Sequence, residues 1–423
     1  VEAMFTVRSM ASRMGNMFSR RMNFSWSSPR PVLARLLRKS AMERKVITRG
    51  GFAAAVASAA AYVASESLSR AEELGVHQPP NVYLPTNDQA YDFRIFSGNG
   101  NPVLANEIAM RLGCQLGRAI IGSFQDGEVK IRFYDSVRGK NCYIIQPTCY
   151  PPNDNLMELL LTISTLRRAS AQNITAILPY YGYSRQLSPI GKDGEGTSLA
   201  AADVALMLKT VGVDQVISVD MHRDQIEGFF DHDITVENLD TTKSMLPYLL
   251  SLGLKDPVCV SIGRVKKTKY LRDSLTKAGV DTDMGFLFYQ GKGGFENIND
   301  DTHPDETDPT TVLSHKTEFV GDVKDRDVLI LTDLIDTGAR VTSAADHLQG
   351  LGANRIFALT THGVMTGNCV EALEKSAVEE VVMFNTIPLK DKTSPKIRVL
   401  SIAPLLAETI SRVHTCGSVK DLY

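Results

Sequence analysis

From Arg94 onward, short apolar runs alternate with amphipathic stretches, and this alternation constrains the fold more than any other feature of the chain. The runs at 142–146, 174–178, 215–219, 258–262, 328–332 and 356–360 read as buried strands. Between them, residues 155–170, 198–211 and 341–351 carry apolar positions at helical spacing. Strands alternating with helices predict parallel sheets covered by helices. No fixed-period repeat is present, yet the same strand–helix grammar runs twice. It predicts an α/β fold of two tandem Rossmann-like domains, 92–239 and 240–423.

A chain of 423 residues has room for two ordinary domains and an appendage. Hydrophobic residues at 43% and charged residues at 22% fit a globular protein, and the net charge of −2 gives no global sign of nucleic-acid binding. The charge is uneven, however. Residues 1–49 hold nine arginines and two lysines against Glu2 and Glu43, a local charge of +9, so the remainder carries about −11. This Arg- and Ser-rich extension has the composition of a transit peptide. A mitochondrial address is expected, with a plastid address or a basic arm serving a partner as alternatives. Because residue 1 is Val, translation is expected to start at Met4 or upstream.

Residues 50–91 read as a small-residue helix followed by a linker. The uncharged run at 50–65 predicts a helix packed against protein, with a membrane span as the alternative. Pro79, Pro80 and Pro85 mark the linker. If residues 1–90 are ordered, they are expected to extend across partner subunits of an organellar, membrane-associated assembly, since an arm without its own core must bury itself elsewhere. The six cysteines show no metal-ligand spacing and no disulfide framework, which suits a reducing compartment.

Several segments occur in a telling order: Phe-Ser-Gly-Asn-Gly-Asn at 96–101, Phe-Gln-Asp-Gly-Glu-Val at 124–129, Ser-Val-Arg-Gly at 136–139 and Asn-Asp-Asn-Leu-Met-Glu-Leu-Leu at 153–160. Pro-Tyr-Tyr-Gly-Tyr-Ser-Arg-Gln follows at 179–186, then Asp-Met-His-Arg-Asp-Gln-Ile-Glu-Gly-Phe-Phe at 220–230 and Gly-Asp-Val-Lys-Asp-Arg at 321–326. Thr-His-Gly at 361–363 and Asn-Thr-Ile-Pro at 385–388 complete the series. Taken together, these resemble the ribose-phosphate pyrophosphokinase (PRPP synthetase) family over about 94–423. The resemblance implies two phosphoribosyltransferase-like domains, with ATP and Mg²⁺ as cofactors. It also implies transfer of a diphosphoryl group from ATP to ribose 5-phosphate for nucleotide biosynthesis. Such transfers depend on positioning, metal and cations over the phosphate charge.

By resemblance, Phe124 stacks on adenine, and Asp126 and Glu128 reach across a subunit interface, which implies an oligomer with itself or with other subunits. Arg185 and Gln186 face base and phosphates, and Asp220 and His222 hold Mg²⁺ or its waters. Asp333, Asp336, Thr337, Gly338 and Arg340 occupy the ribose-phosphate loop, where backbone N–H groups and a helix N-terminus grip phosphate.

Several positions depart from the family pattern. The Arg/Lys-rich stretch after Gln186 is reduced to Lys192, opposed by Asp193 and Glu195. Arg223 replaces a small residue beside His222, and its charge opposes a metal ion by Coulomb repulsion. The Pro-Asp-x-Gly-Gly turn is replaced by Ser-Ile-Gly-Arg-Val-Lys-Lys at 261–267, which lacks the carboxylate. Tyr289 and Gly291 stand where the mobile-loop cations belong, with Lys292 as a possible displaced remnant. In the phosphate loop Thr332, Ala339 and Arg340 replace Asp, Gly and Thr. One transition-state cation in phosphoryl transfer is worth about 10³–10⁵ in rate. The losses therefore predict a pseudoenzyme serving as a structural or regulatory subunit. An active diphosphokinase is the alternative, and a single-substrate phosphoribosyltransferase is the third reading.

Overall fold

The computed structural model describes residues 92–187, 189, 196–291, 294–295 and 316–422. The basic extension, the 50–65 run, the linker, Lys192 and Lys292 lie outside them. Among the described residues no helix is long and apolar enough to cross a membrane.

The first half comprises β1 (Phe93–Ser97), α1 (Pro102–Arg111), the antiparallel pair β2 (Ala119–Ser123) and β3 (Val129–Phe133), β4 (Asn141–Ile145), α2 (Pro152–Arg168), β5 (Asn173–Leu178), α3 (Ala200–Val211), β6 (Gln215–Val219), a 3₁₀ turn (Asp224–Phe229) and β7 (Thr235–Leu239). The second comprises α4 (Thr242–Ser251), β8 (Val258–Ser261), α5 (Val265–Lys277), β9 (Asp283–Gly291), β10 (Gly294–Phe295), β11 (Lys316–Val320), β12 (Val328–Ile335), α6 (Ala339–Gly350), β13 (Ile356–Gly363), α7 (Cys369–Lys375), β14 (Glu380–Phe384), β15 (Ile397–Leu400) and α8 (Ala403–His414). All six predicted strands and three predicted helices are present within a few residues of their expected bounds.

Helix ends follow local chemistry. Asn101 caps α1 by accepting from the Leu104 N–H at 3.2 Å, and Pro102 follows at the first helical position, where no N–H is needed. At the other end of α3, Gly212 takes φ 93°, the left-handed cap conformation that a side chain resists.

Two sheets result. The first has the order β1-β4-β5-β6-β7, all parallel. The second runs β10-β9-β8-β12-β13-β14-β15, with β11 paired antiparallel to β9. The parallel strands are apolar on both faces because both are covered. Phe96, Ile144 and Leu178 join α2 and α3 on one side of the first sheet. Ile95, Ile145 and Ile177 face the opposite way, into a core that also takes Cys259, Leu331, Phe357 and Leu359 of the second sheet. Val258, Ile330 and Ala358 face α6 and α7 in a third core.

Leu104 and Ile108 of α1, Met245 and Leu249 of α4, Leu271 and Leu275 of α5, and Leu406 and Ile410 of α8 fill the layer common to both sheets. Removing one such leucine side chain costs about 2–5 kcal/mol. α8 belongs to the second half of the sequence but returns to the first sheet, where the His414 ring packs tilted against Phe93 at 4.8 Å between ring centroids.

Candidate functional site

Ligands of open parallel sheets bind beyond the carboxyl ends of the strands. Here those ends converge from both sheets. Arg185 follows β5, Asp220 follows β6, Arg264 follows β8, Asp333 lies near the end of β12, and His362 lies near the end of β13. Four non-glycine residues just past such strand ends have left-handed backbones: Tyr183 (φ 60°), Asp220 (φ 43°), Met365 (φ 53°) and Lys390 (φ 51°). Strained residues persist where the surroundings over-determine them, and they cluster at ligand sites.

Asp220 is buried and accepts three bonds on Oδ2. The Thr241 and Thr361 hydroxyls donate at 2.5 Å each, and the Lys267 ammonium forms the third contact. Burial would raise this carboxyl, but Lys267 and the two hydroxyls outweigh it and hold the pKa below the ordinary value. Asp333 is treated similarly. His222 Nδ1 lies 2.5 Å from its Oδ2, and Arg264 Nη2 approaches the same oxygen at 3.4 Å while donating to the Met221 carbonyl at 2.9 Å. Burial again opposes ionisation, and His222 and Arg264 drive the pKa well below the usual range. Asp336 accepts from Arg185 Nη1 at 2.6 Å and from the Thr366 hydroxyl.

His362 sits at the centre of the same junction. Its Nε2 lies 3.1 Å from the carbonyls of both Val219 and Asp220, so it carries the proton and donates. Nδ1 meets the Thr386 hydroxyl at 2.9 Å, and the Tyr180 ring packs edge-on at 5.0 Å. Burial pushes its pKa down to about 4.

The structure thus brings Arg185, Asp220, His222, Asp333 and Asp336 to one junction. Gly338 (φ 80°) starts α6, and the Thr337 hydroxyl accepts from the Ala339 N–H at 3.4 Å. Arg340 lies in the first turn of α6, half-buried. Thr332 is buried, and its hydroxyl donates to the Leu334 carbonyl at 3.2 Å. Phe124, Asp126 and Glu128 are elsewhere, on the exposed tip of the β2–β3 hairpin. There the Phe124 N–H donates to the Glu128 carbonyl at 2.8 Å, and the Lys130 ammonium lies 5.4 Å from the Phe124 ring. Gln186 is exposed. Positions 289 and 291 fall inside β9, where residue 289 pairs with 317 of β11, so neither lies in a loop.

A divalent ion does not fit at Asp220 Oδ2, which already holds an ammonium. The imidazole of His222 pairs with Asp333 through Nδ1, an arrangement that also orients histidines on a metal. Among the described residues no group of three or more His, Cys, Asp or Glu side chains is arranged to hold a metal ion. The sequence reading emphasised the missing carboxylate of 261–267 and overlooked what the segment supplies instead. Arg264, Lys266 and Lys267 engage Asp333, Asp224 and Asp220 respectively. The signal was present as three closely spaced cations in one half and an acid-rich strand end in the other.

These parallel sheets, with a strand–turn–helix cradle at the junction, define a phosphoribosyltransferase-like α/β protein. Residues 93–212 match the N-terminal domain of ribose phosphate pyrophosphokinase, and residues 301–423 match the phosphoribosyl synthetase-associated domain. Ribose-phosphate pyrophosphokinase from Helicobacter pylori is 39% identical over 333 residues, covering 78% of this chain and 96% of that protein. The enzyme of the same name from Buchnera aphidicola subsp. Schizaphis graminum is 39% identical over 336 residues, covering 78% of this chain and 99% of the relative. The crystal structure of phosphoribosylpyrophosphate synthetase from Mycobacterium smegmatis superposes with a TM-score of 0.66 at 34% identity, covering 77% of this chain and 99% of that one. The chain belongs to the ribose-phosphate pyrophosphokinase family.

Proposed function

We propose that this chain is a catalytically silent member of its family, acting as a structural or regulatory subunit of an assembly. The observation that carries this reading is the ion pairing of the junction. Asp220, Asp333 and Asp336 are each bound to a cation of the same chain. Substrate and metal would have to displace Lys267 and Arg264 from largely buried contacts, where removing one partner of a pair costs about 3–5 kcal/mol, and Arg185 from a more exposed one that costs less. Tyr289 and Gly291, where cations are expected, leave little to offset that cost.

The remaining nucleotide-side residues support weak adenine-nucleotide binding with little Mg²⁺ dependence. The exposed hairpin tip, with Phe124 51% exposed, supports self-association or association with a related active subunit. Residues 1–49 support a mitochondrial address for the assembly, with a plastid as the alternative.

A second reading, an active ribose-phosphate diphosphokinase, is favoured by 38–39% identity across nearly the whole length of relatives bearing that name. One experiment separates the two. The purified full chain is incubated with ATP, Mg²⁺ and ribose 5-phosphate, and PRPP and AMP are measured. Formation at background is expected; turnover within about a hundredfold of an ordinary family member would overturn the silent reading.

A further inference from the structure

The Lys267 ammonium is surrounded by three oxygens: Asp220 Oδ2, Thr241 Oγ1 at 3.2 Å and Thr361 Oγ1 at 3.1 Å. An ammonium has three N–H donors and no acceptor, so each donor has one oxygen. The two hydroxyls spend their own protons on Asp220 Oδ2, at 2.5 Å each. The two hydroxyl oxygens also lie 2.9 Å apart, so either proton can be shared between that contact and Asp220.

The participants come from four elements. Asp220 follows β6, Thr241 precedes α4, Thr361 lies in β13, and Lys267 stands on the first turn of α5. Both threonines are buried, and the Lys267 and Asp220 side chains are only 10% and 7% exposed. A cluster of hard oxygens around a buried positive charge is the environment that small hard cations select. Two further cations seat the same segment: Arg264 on the Met221 carbonyl, and Lys266 on Asp224 at 3.0 Å.

We propose that the Lys267 ammonium is a resident cation, occupying the position at which Asp220, Thr241 and Thr361 would otherwise hold a divalent ion. The junction between the two sheets is then held together without metal, and Lys267 makes the chain indifferent to Mg²⁺ and Mn²⁺. A second cation beside the ammonium meets like-charge repulsion, so removing the ammonium raises divalent affinity by about a hundred- to a thousandfold. The inference rests on the same ion pairing as the proposed function, but its test reads ion binding and not turnover. A silent chain that binds Mn²⁺ well would refute this inference alone.

The test uses the full chain, titrated with MnCl₂ by calorimetry and melted in EDTA or in MgCl₂. The wild type is expected to take up no stoichiometric Mn²⁺ and to melt at the same temperature in both buffers. Lys267→Met keeps the aliphatic stem and removes the charge. It is expected to melt lower in EDTA, to regain stability in Mn²⁺ or Mg²⁺, and to lose that recovery when Asp220→Asn is added. Folding of Lys267→Met only in the presence of Mn²⁺ would support the proposal equally. Two results overturn it. One is stoichiometric Mn²⁺ uptake that stabilises the wild type, which decides the matter even if no variant folds. The other is a folded Lys267→Met chain that binds Mn²⁺ no better than the wild type.

Discussion

Arg185 Nη1 lies 2.6 Å from Asp336 Oδ2, joining the segment after β5 to the phosphate-loop cradle before α6. The resemblance gives each residue a ligand to face, and in this chain they face each other. Burial would raise the Asp336 carboxyl, but the Thr366 hydroxyl and Arg185 hold it below the ordinary range. Asp336→Asn is therefore expected to remove the carboxylate that competes for Arg185 and to tighten adenine-nucleotide binding by about tenfold, since a guanidinium forms charge-assisted bonds to phosphate. Calorimetric titration with ATP in EDTA checks this; an unchanged or weaker affinity would show that the pair does not compete with nucleotide. The stability cost should stay at about 1 kcal/mol or less, because the Arg185 side chain is 35% exposed and solvent screens the pair.

Acid should loosen the junction in two stages. The folded pKa of His362 is about 4, below its ordinary 6.5, so the unfolded chain binds the extra proton between those values. Its contribution is complete above about pH 6.5 and falls by about 1.4 kcal/mol per pH unit on the way down to pH 4. Asp220 and Asp333 are also depressed. Their contribution is complete above the ordinary carboxylate pKa of about 4 and is lost as the pH falls through their lowered folded values. Urea unfolding from pH 7.5 to 3 should show both regions, and His362→Gln should flatten only the upper one. An unchanged upper slope in that variant would assign it to other groups.

Gly338 has both a conformational and a steric reason to remain glycine. Its φ is 80°, and a Cβ there would stand 2.9 Å from Cys369 Sγ. Gly338→Val should destabilise the chain by about 2–4 kcal/mol, combining left-handed strain with overpacking. Gly367 has φ 56°, but a Cβ there would meet nothing within 4 Å, so Gly367→Ala should cost only about 1 kcal/mol. Equal losses at the two positions by denaturant titration would remove the steric component.

The strands were legible because both faces of each parallel sheet are covered, which leaves runs such as 258–260 in β8 and 328–331 in β12 apolar on successive residues. Helices α2, α3 and α6 showed their periodicity for a related reason, each having one face in a core. The pairing of residues 264–267 with residues 220–224 was not legible. Each charge is ordinary in its own neighbourhood, and nothing local states that a strand end some forty residues earlier will meet it. The destination of α8 was hidden likewise, since an amphipathic stripe shows that a helix is buried without naming the surface that receives it.

That destination affects how the chain can be made. The Tyr143 hydroxyl and His414 Nδ1 lie 3.5 Å apart although 271 residues separate them in sequence. During synthesis the first sheet emerges with α1 on the face that carries Tyr143, and the part that receives α8 stays open until that helix follows. Apolar surface exposed in that interval favours aggregation, and a variant lacking α8 would leave its share of the face open. α8 therefore completes the cover of the first sheet only after a delay set by the 271 residues between Tyr143 and His414.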